Sequence, residues 1–383
     1  MTLKISDIKS WVRLSLGELK QKVKLALKFT VKLLGKNSLD RSASILMLED
    51  YVVYQKQHNP VDIPALKSIN SLSISHFTGY SVSFYPDYIW DIKIDNKIKS
   101  LDIGRSGITL INQKDLLDLD FGTTAGLLEV PYKIKHLNFP VVIAPWSHFW
   151  GSYYDFIIFV LAKLVRIENA IDKQLWQEAK ICYPLFGTAF EEEFLRKLDI
   201  DKSSIIDTRN WTTKIETERV FLANNQNWFT PSPYDLALLR SRFCPDSKGS
   251  PEKRLYISRS GRRRVQNEAE VREILQEFGF EIVEDIARSV DEQIRLFSEA
   301  SVVVGPHGAG LTNLLWCNPG TKVIEFFNSA YAAPYYYYIC KILGLEYYYM
   351  VEQTNMPNHW SQTAVDITVD VKELKMKLQE IIR

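Results

Sequence analysis

Residues 301–326 read SVVVGPHGAGLTNLLWCNPGTKVIEF, and the order of residue types in this stretch decides the fold. Three consecutive valines bounded by turn residues describe a strand buried on both faces, as inside a parallel sheet. Gly305, Gly308 and Gly310 follow at once, and without Cβ atoms they let backbone N–H groups approach a ligand. Thr312 and Asn313 open a short helix whose unsatisfied N–H groups and positive dipole end face the same turn. Residues 321–326 form the next strand. A strand, glycine turn, helix N-terminus and strand together grip phosphate.

The neighbouring sequence repeats this alternation. Residues 254–258 (RLYIS) and 280–284 (FEIVE) are strands, and 346–350 is a last one. Asn267 with Glu270, and Ser289 with Glu292, have the spacing of capping boxes and open helices to about residues 278 and 300. Residues 332–343 and 371–382 are further helices. Strict alternation of strand and helix implies right-handed crossovers and a doubly wound parallel α/β domain.

In such a sheet, ligands bind beyond the carboxyl ends of the strands. Arg259, Arg262, Arg263 and Arg264 follow the first strand, Asp285 the second, and Gly305-Pro306-His307-Gly308-Ala309-Gly310 the third. The helix dipole contributes about 0.3–1 kcal/mol, too little to hold a diphosphate alone. The arginines must supply the rest through bidentate contacts. Glu325, 20 residues after Gly305, stands where a carboxylate accepts both ribose hydroxyls in dinucleotide sites.

The glycine spacing is G-x-x-G-x-G, which argues against a nicotinamide dehydrogenase, and no P-loop string occurs. No His, Cys, Asp or Glu cluster has metal-ligand spacing; D-x-D strings at 118–120 and 199–201 are short enough to arise by chance.

The remainder is less regular. Residues 139–144 (FPVVIA), 204–207 and 219–223 are strand candidates, and 153–166 is an apolar helix. The polar, proline-bearing run 224–233 (NNQNWFTPSP) reads as an interdomain linker. The expected organisation is a basic amphipathic segment at 1–40, an α/β domain at 41–228, a nucleotide-binding domain at 229–370 and a terminal helix at 371–383.

The formal net charge of +1 gives no general pull toward nucleic acid. It is unevenly placed: residues 1–36 carry nine Lys or Arg against Asp7 and Glu18. Lys20, Lys24, Lys28, Lys32 and Lys36 form one stripe of a helix suited to an anionic membrane surface, or to a solvated face. The interrupting lysines rule this segment out as a transmembrane span. Cys182, Cys244, Cys317 and Cys340 are scattered without a C-x-x-C pair, which fits a reducing compartment.

The strings YISRSGRRRVQNEAEV, DEQIRLFSEASVVVGPHGAGLTNLLWCNPG and KVIEFF resemble the carboxyl domain of glycosyltransferase family 61, a capsular polysaccharide biosynthesis-like group. GPHGAGLTN is the most specific of them. The resemblance implies a GT-B architecture, two Rossmann-like domains facing a cleft. It implies a nucleotide-sugar donor, UDP-linked by expectation, inversion at the anomeric carbon, and no cofactor or metal. Carried onto this chain, Arg259, Arg263, Arg264, Gly305, His307, Gly308, Ala309, Gly310, Thr312, Asn313 and Glu325 become donor-site candidates. Family members often show N-Y-Y-H-W before a helix; here the segment is Ser152-Tyr153-Tyr154-Asp155-Phe156, with Asp155 in the histidine's place. Asp155 and nearby His148 are the candidate bases.

The resulting expectation is a cytoplasmic glycosyltransferase, peripheral on the inner face of the membrane. It would transfer sugar to a glycan or lipid-linked acceptor in surface polysaccharide synthesis. An NAD(P)-dependent oxidoreductase and a non-catalytic nucleotide- or glycan-binding protein are the alternatives.

Overall fold

The computed structural model describes residues 37–39 and 41–382, apart from 71–76, 105–106, 113–114, 118–134, 146–150, 210–212, 245–250 and 360–361. The basic segment 1–36, the D-x-D string at 118–120 and His148 lie outside the described residues.

Contacts divide the chain into two units. One contains Pro60–Ser83 and Phe243–Arg383, the other Phe84–Arg242 with the described residues between 37 and 59. The boundary near Arg242 lies beyond the polar run 224–233, which belongs wholly to the second unit. That run is no exposed linker. Asn224, Asn225 and Gln226 are buried. Asn224 Oδ1 accepts from the Tyr88 N–H at 2.7 Å, and Gln226 Nε2 donates to the Tyr85 carbonyl at 2.7 Å. Polar side chains are stable inside when their hydrogen bonds are met there, and composition alone does not distinguish that case from a solvated loop.

The carboxyl-terminal unit is built on five parallel strands: β1 (Lys253–Ile257), β2 (Glu281–Val283), β3 (Ala300–Pro306), β4 (Lys322–Asn328) and β5 (Glu346–Glu352). Their order across the sheet is β2-β1-β3-β4-β5. Helices α1 (Glu268–Glu277), α2 (Val290–Ser298), α3 (Tyr335–Leu343) and α4 (Val371–Ile381) connect or follow them. Alternate residues feed the two faces. Val302, Val304, Ile324 and Phe326 pack with Val271 and Leu275 of α1 and Leu374 and Leu378 of α4. Leu255, Val303 and Val323 are fully buried on the opposite face. Each such side chain contributes about 1.5–3 kcal/mol, which is why the strands read as unbroken apolar runs.

The two capping signatures differ in use. Ser289 accepts from the Glu292 N–H at 3.2 Å and caps α2. Asn267 makes no cap bond; it clamps both backbone groups of Val369, at 2.9 and 3.0 Å, tying the chain before α4 to the sheet. The far edge of β5 is covered by Pro60–Ser83: the Ile69 N–H donates to the Tyr349 carbonyl, and Phe77 stacks on Tyr349 at 4.2 Å. An edge left open would be a site for aberrant pairing.

The other unit carries a ten-stranded mixed sheet. Thr213–Ala223, Lys135–Ile143, Lys180–Tyr183 and Ile205–Asp207 lie side by side in that order, all parallel. The apolar helix expected at 153–166 is present, but Phe156–Leu161 is wound as a π-helix between α-helical turns. The D-x-D string at 199–201 is a turn, with Asp199 at φ 55° and Asp201 accepting from the Ser203 N–H. Among the described residues, no helix is long and apolar enough to cross a membrane.

Candidate active site

The order of the parallel strands reverses between β1 and β3, so the loops leaving their carboxyl ends diverge and open a crevice. Arg259 leaves β1 and His307 leaves β3, placing the arginine loop and the glycine turn on either side of this point. Two close approaches explain two of the glycines. A Cβ on Gly305 would lie 3.1 Å from both the Cβ and the carbonyl oxygen of Ile257, so glycine lets β3 pack on the end of β1. At Gly308 the obstructed group is the Arg259 guanidinium, discussed below. The following segment, Ala309–Trp316, is the short helix expected there, wound as a 3-10 helix and opening at Ala309 and not at Thr312. Its first bond runs from the Leu311 N–H to the Gly308 carbonyl.

Asn313 and Thr312 support this turn from below. Asn313 donates to the Gly310 carbonyl at 3.2 Å and to Gln293 of α2 at 3.0 Å, and accepts from the Trp316 indole at 3.0 Å. Thr312 is buried with its hydroxyl 3.4 Å from that of Tyr336. Ala309 is half-buried and Gly310 exposed at the start of the 3-10 helix.

The arginines separate. Arg263 is buried in a left-handed conformation, φ 60°. It donates to the carbonyls of His307 at 2.9 Å and Thr363 at 2.8 Å and lies over the Tyr331 ring. Arg259 donates to the Arg262 carbonyl. Among the described residues neither forms an ion pair. Burial, then repulsion from Arg259, pushes the Arg263 guanidinium down to about 10. Burial also lowers Arg259, against the attraction of Tyr336 and Asp285. Two adjacent cations short of counter-charge make a site that favours an anion. Asp285 holds their loop in place, accepting from the Ser260 N–H and hydroxyl at 3.0 and 2.8 Å. Arg264, expected with them, instead turns outward and pairs with Asp366 at 3.0 Å.

Glu325 is also corrected. It is not a ribose-facing carboxylate: it is fully buried, with Oε1 2.5 Å from His307 Nδ1 and Oε2 accepting from the Tyr347 hydroxyl at 2.5 Å. Both oxygens are taken. Tyr347 escaped sequence reading because it comes from β5, inside the run EYYYM where alternation shows only which tyrosines face inward. His307 is enclosed by Phe327, Tyr331, Tyr335 and Tyr336, with ring centroids 5.0–5.7 Å away. Burial, then the charges of Arg263 and Arg259, hold its imidazole well below the ordinary histidine value. No hydrogen bond engages its Nε2 among the described residues.

In the other unit, Asp155 sits at the start of the helix that follows strand Lys135–Ile143. The Ser152 hydroxyl donates to its Oδ2 at 2.7 Å, while Oδ1 is buried without a hydrogen bond. Burial pushes this carboxyl up to about 6. Thr208 and Asn225, after the two outer strands of the parallel group, and Thr188, in the loop after Lys180–Tyr183, also carry a buried polar atom with no hydrogen bond among the described residues. Four such atoms thus fall beyond the carboxyl ends of the four parallel strands, where an open α/β sheet binds ligands. Among the described residues, no group of three or more His, Cys, Asp or Glu is placed to hold a metal ion.

A doubly wound sheet with a glycine turn and two arginines beside its switch point has the ligand crevice of an open α/β sheet. The family model for glycosyltransferase 61 matches residues 123–324, more than half of the chain, and the protein belongs to that family. It is 40% identical over 74 residues to a β-1,2-xylosyltransferase of Oryza sativa subsp. japonica, RCN11, which is 19% of this chain and 13% of that protein. It is 25% identical over 232 residues to the xylan glycosyltransferase MUCI21 of Arabidopsis thaliana, 58% of this chain and 45% of that one. The chain therefore spans less than half the length of these curated relatives.

Proposed function

We propose that the protein is an inverting glycosyltransferase that moves a sugar from a nucleoside-diphosphate donor to a hydroxyl of a glycan. The observation that carries this reading is a pair of arginines without an ion-pair partner among the described residues, half-buried Arg259 and buried Arg263, beside His307 at the switch point. A donor diphosphate supplies the counter-charge they lack. As the anomeric C–O bond to the diphosphate breaks and the acceptor oxygen bonds to that carbon from the opposite face, charge grows on the leaving group. Arginine donors fixed in advance stabilise it there. The same charge makes a metal ion unnecessary, so activity is retained with a chelator. Asp155 is assigned the acceptor's proton: its buried carboxyl, pushed up to about 6, is basic enough for the task and ionised at neutral pH. Thr188, Thr208 and Asn225 are assigned to acceptor hydroxyls.

The relatives' names point to a pentose, and UDP-xylose is the first donor to try. The reading includes a GT-B pairing of two Rossmann-like domains, a polysaccharide or lipid-linked acceptor at the cell surface, and a cytoplasmic location peripheral to the membrane. The donor test is thermal stabilisation by a panel of UDP-sugars, UDP and NAD. Stabilisation by NAD alone would replace this reading with the oxidoreductase one. Flotation with anionic vesicles tests the basic segment; unchanged binding after deletion of residues 1–36 refutes its role.

A further inference from the structure

The two sides of the crevice are tied together by a chain of hydrogen bonds that passes around its back. On one side Asn313, which supports the glycine turn, donates to Gln293 Oε1 at 3.0 Å. Gln293 Nε2 donates at 3.2 Å to the carbonyl of Arg288, just before α2. Arg288 braces the loop after β2: its Nη1 donates to the carbonyls of Glu284 at 2.7 Å and Ile286 at 3.3 Å, and the Ile286 N–H donates to the Glu284 carbonyl at 2.9 Å. Asp285 lies between those two residues. Its Oδ2 accepts from the N–H and the hydroxyl of Ser260, the neighbour of Arg259. The chain therefore runs from the glycine turn, past the start of α2, to the arginine loop.

Asp285 is the unexpected member, a carboxylate beside a site that favours an anion. It is exposed, and its Oδ1 accepts no hydrogen bond among the described residues. The Ser260 N–H bond, with the Ser260 hydroxyl, Arg259 and Arg288, outweighs partial burial and holds this carboxyl below its ordinary value, so it is ionised at neutral pH. Its charge reaches Arg259 without ion-pair contact. After burial, Arg259 feels the attraction of Tyr336 and Asp285 and the repulsion of Arg262. Arg263 feels burial, repulsion from Arg259 and Arg262, and the attraction of Tyr331 and Tyr336.

We propose that Asp285 is the resident counter-charge of the donor site, a positioning residue that holds the arginine loop ready and at the same time weakens its grip on the nucleoside diphosphate. This rests on the donor site proposed above. Holding the loop in place removes an ordering cost from binding. The negative charge acts the other way: it offsets part of the arginines' field and repels the phosphates that enter it. The same repulsion helps the nucleoside diphosphate to leave once the sugar has been transferred.

Substitution separates the two effects. Asp285→Asn keeps an oxygen for both Ser260 bonds and removes the charge; Asp285→Ala removes both. The test is calorimetric titration of the full chain with UDP, with thermal unfolding to show that each variant is folded. Asp285→Asn is expected to bind UDP about two- to fivefold more tightly than the wild type, the range for an exposed charge. That gain should shrink as salt is added. Asp285→Ala is expected to bind at least about tenfold more weakly than Asp285→Asn, because the loop must then be ordered during binding. An Asp285→Asn protein that binds UDP no more tightly than the wild type, or a gain that salt leaves unchanged, overturns the counter-charge. Equal affinities for the two variants overturn the clamp. Should Asp285→Ala not fold, Asp285→Asn and its salt dependence decide the proposal. If the wild type does not bind UDP, the donor-site reading falls and this proposal with it, whereas the other adverse outcomes leave wild-type binding intact.

Discussion

Arg259 places its guanidinium where a side chain on Gly308 would begin: Nη1 lies 1.5 Å from the position of a Cβ there. Gly308 itself has φ 170°, extended backbone open to any residue, so the glycine serves the arginine and not the chain. Its neighbour Gly305 serves the chain, since a Cβ there meets Ile257 backbone at 3.1 Å.

Gly308→Ala should therefore leave the fold almost intact and displace the guanidinium. The loss of one charge-assisted contact, about 1.5–3 kcal/mol, weakens UDP binding by roughly one to two orders of magnitude. Gly305→Ala should instead lower the melting temperature. Thermal unfolding and UDP titration of both variants separate the two; a Gly308→Ala protein with unchanged UDP affinity would contradict the placement of Arg259.

Asp155 tests the other unit. Since its carboxyl titrates near 6 and acts ionised, the transfer rate should rise with pH through about 6 and level off above it. Asp155→Asn should remove that limb and cut turnover by about two to four orders of magnitude, with a much smaller effect on the KM for donor. Normal turnover by this variant in a defined transfer assay ends its assignment as base.

A buried ion cluster holds the same unit together. Arg166, almost completely enclosed, donates to Asp235 at 2.9 Å and to the Asn224 carbonyl at 2.6 Å, and stands 3.7 Å from Asp87. Asp87 in turn accepts from Ser232 and Gln226 and meets His58 at 2.6 Å. Arg166→Met strands two buried carboxylates and should cost about 3–5 kcal/mol, read as a lowered denaturation midpoint. Burial pushes Asp87 up, but Arg166 and the hydrogen bonds outweigh it and hold the carboxyl below its ordinary value. A depressed carboxyl stabilises the fold above its unfolded pKa, about 4. That stability is lost as pH falls from about 4 through the folded value, so acid unfolding of the wild type should begin there.

The carboxyl-terminal sheet was legible because its strands are buried on both faces: SVVV and TKVIEF carry no alternation to misread, and glycines mark where they end. The side chains around the phosphate grip were harder. In the sequence Glu325 reads as a strand end, where dinucleotide sites use a carboxylate; β4 in fact runs on to Asn328, and only the packing of β5 beside it shows Tyr347 occupying the second oxygen. The run 224–233 reads as linker because buried amides, as at 224–226, and solvated amides share a composition, and the partners on residues 85–88 are distant in sequence. Likewise Pro60–Ser83 packs on β5 through single contacts with no periodic signature.

Arg263 and Arg264 are adjacent in sequence and opposite in consequence. Arg263 is buried, braces the His307 carbonyl at 2.9 Å and lacks a carboxylate partner; Arg264 is exposed and bonded to Asp366 at 3.0 Å. Exposed pairs are worth about 0–1 kcal/mol, so Arg264→Ala should change neither stability nor UDP affinity beyond that. Arg263→Ala removes a cation from the anion site and a donor from the backbone of the glycine turn. It should weaken UDP by at least about tenfold, the equivalent of one charged hydrogen bond. Because the Arg263 charge helps hold His307 neutral, the same variant should raise the histidine's pKa in the UDP-free protein. Histidine titration followed by NMR checks this second effect, once thermal unfolding has shown that the variant is folded, since unfolding also raises a histidine held down by burial. Equal UDP affinities for the two alanine variants would mean that the anion is held elsewhere.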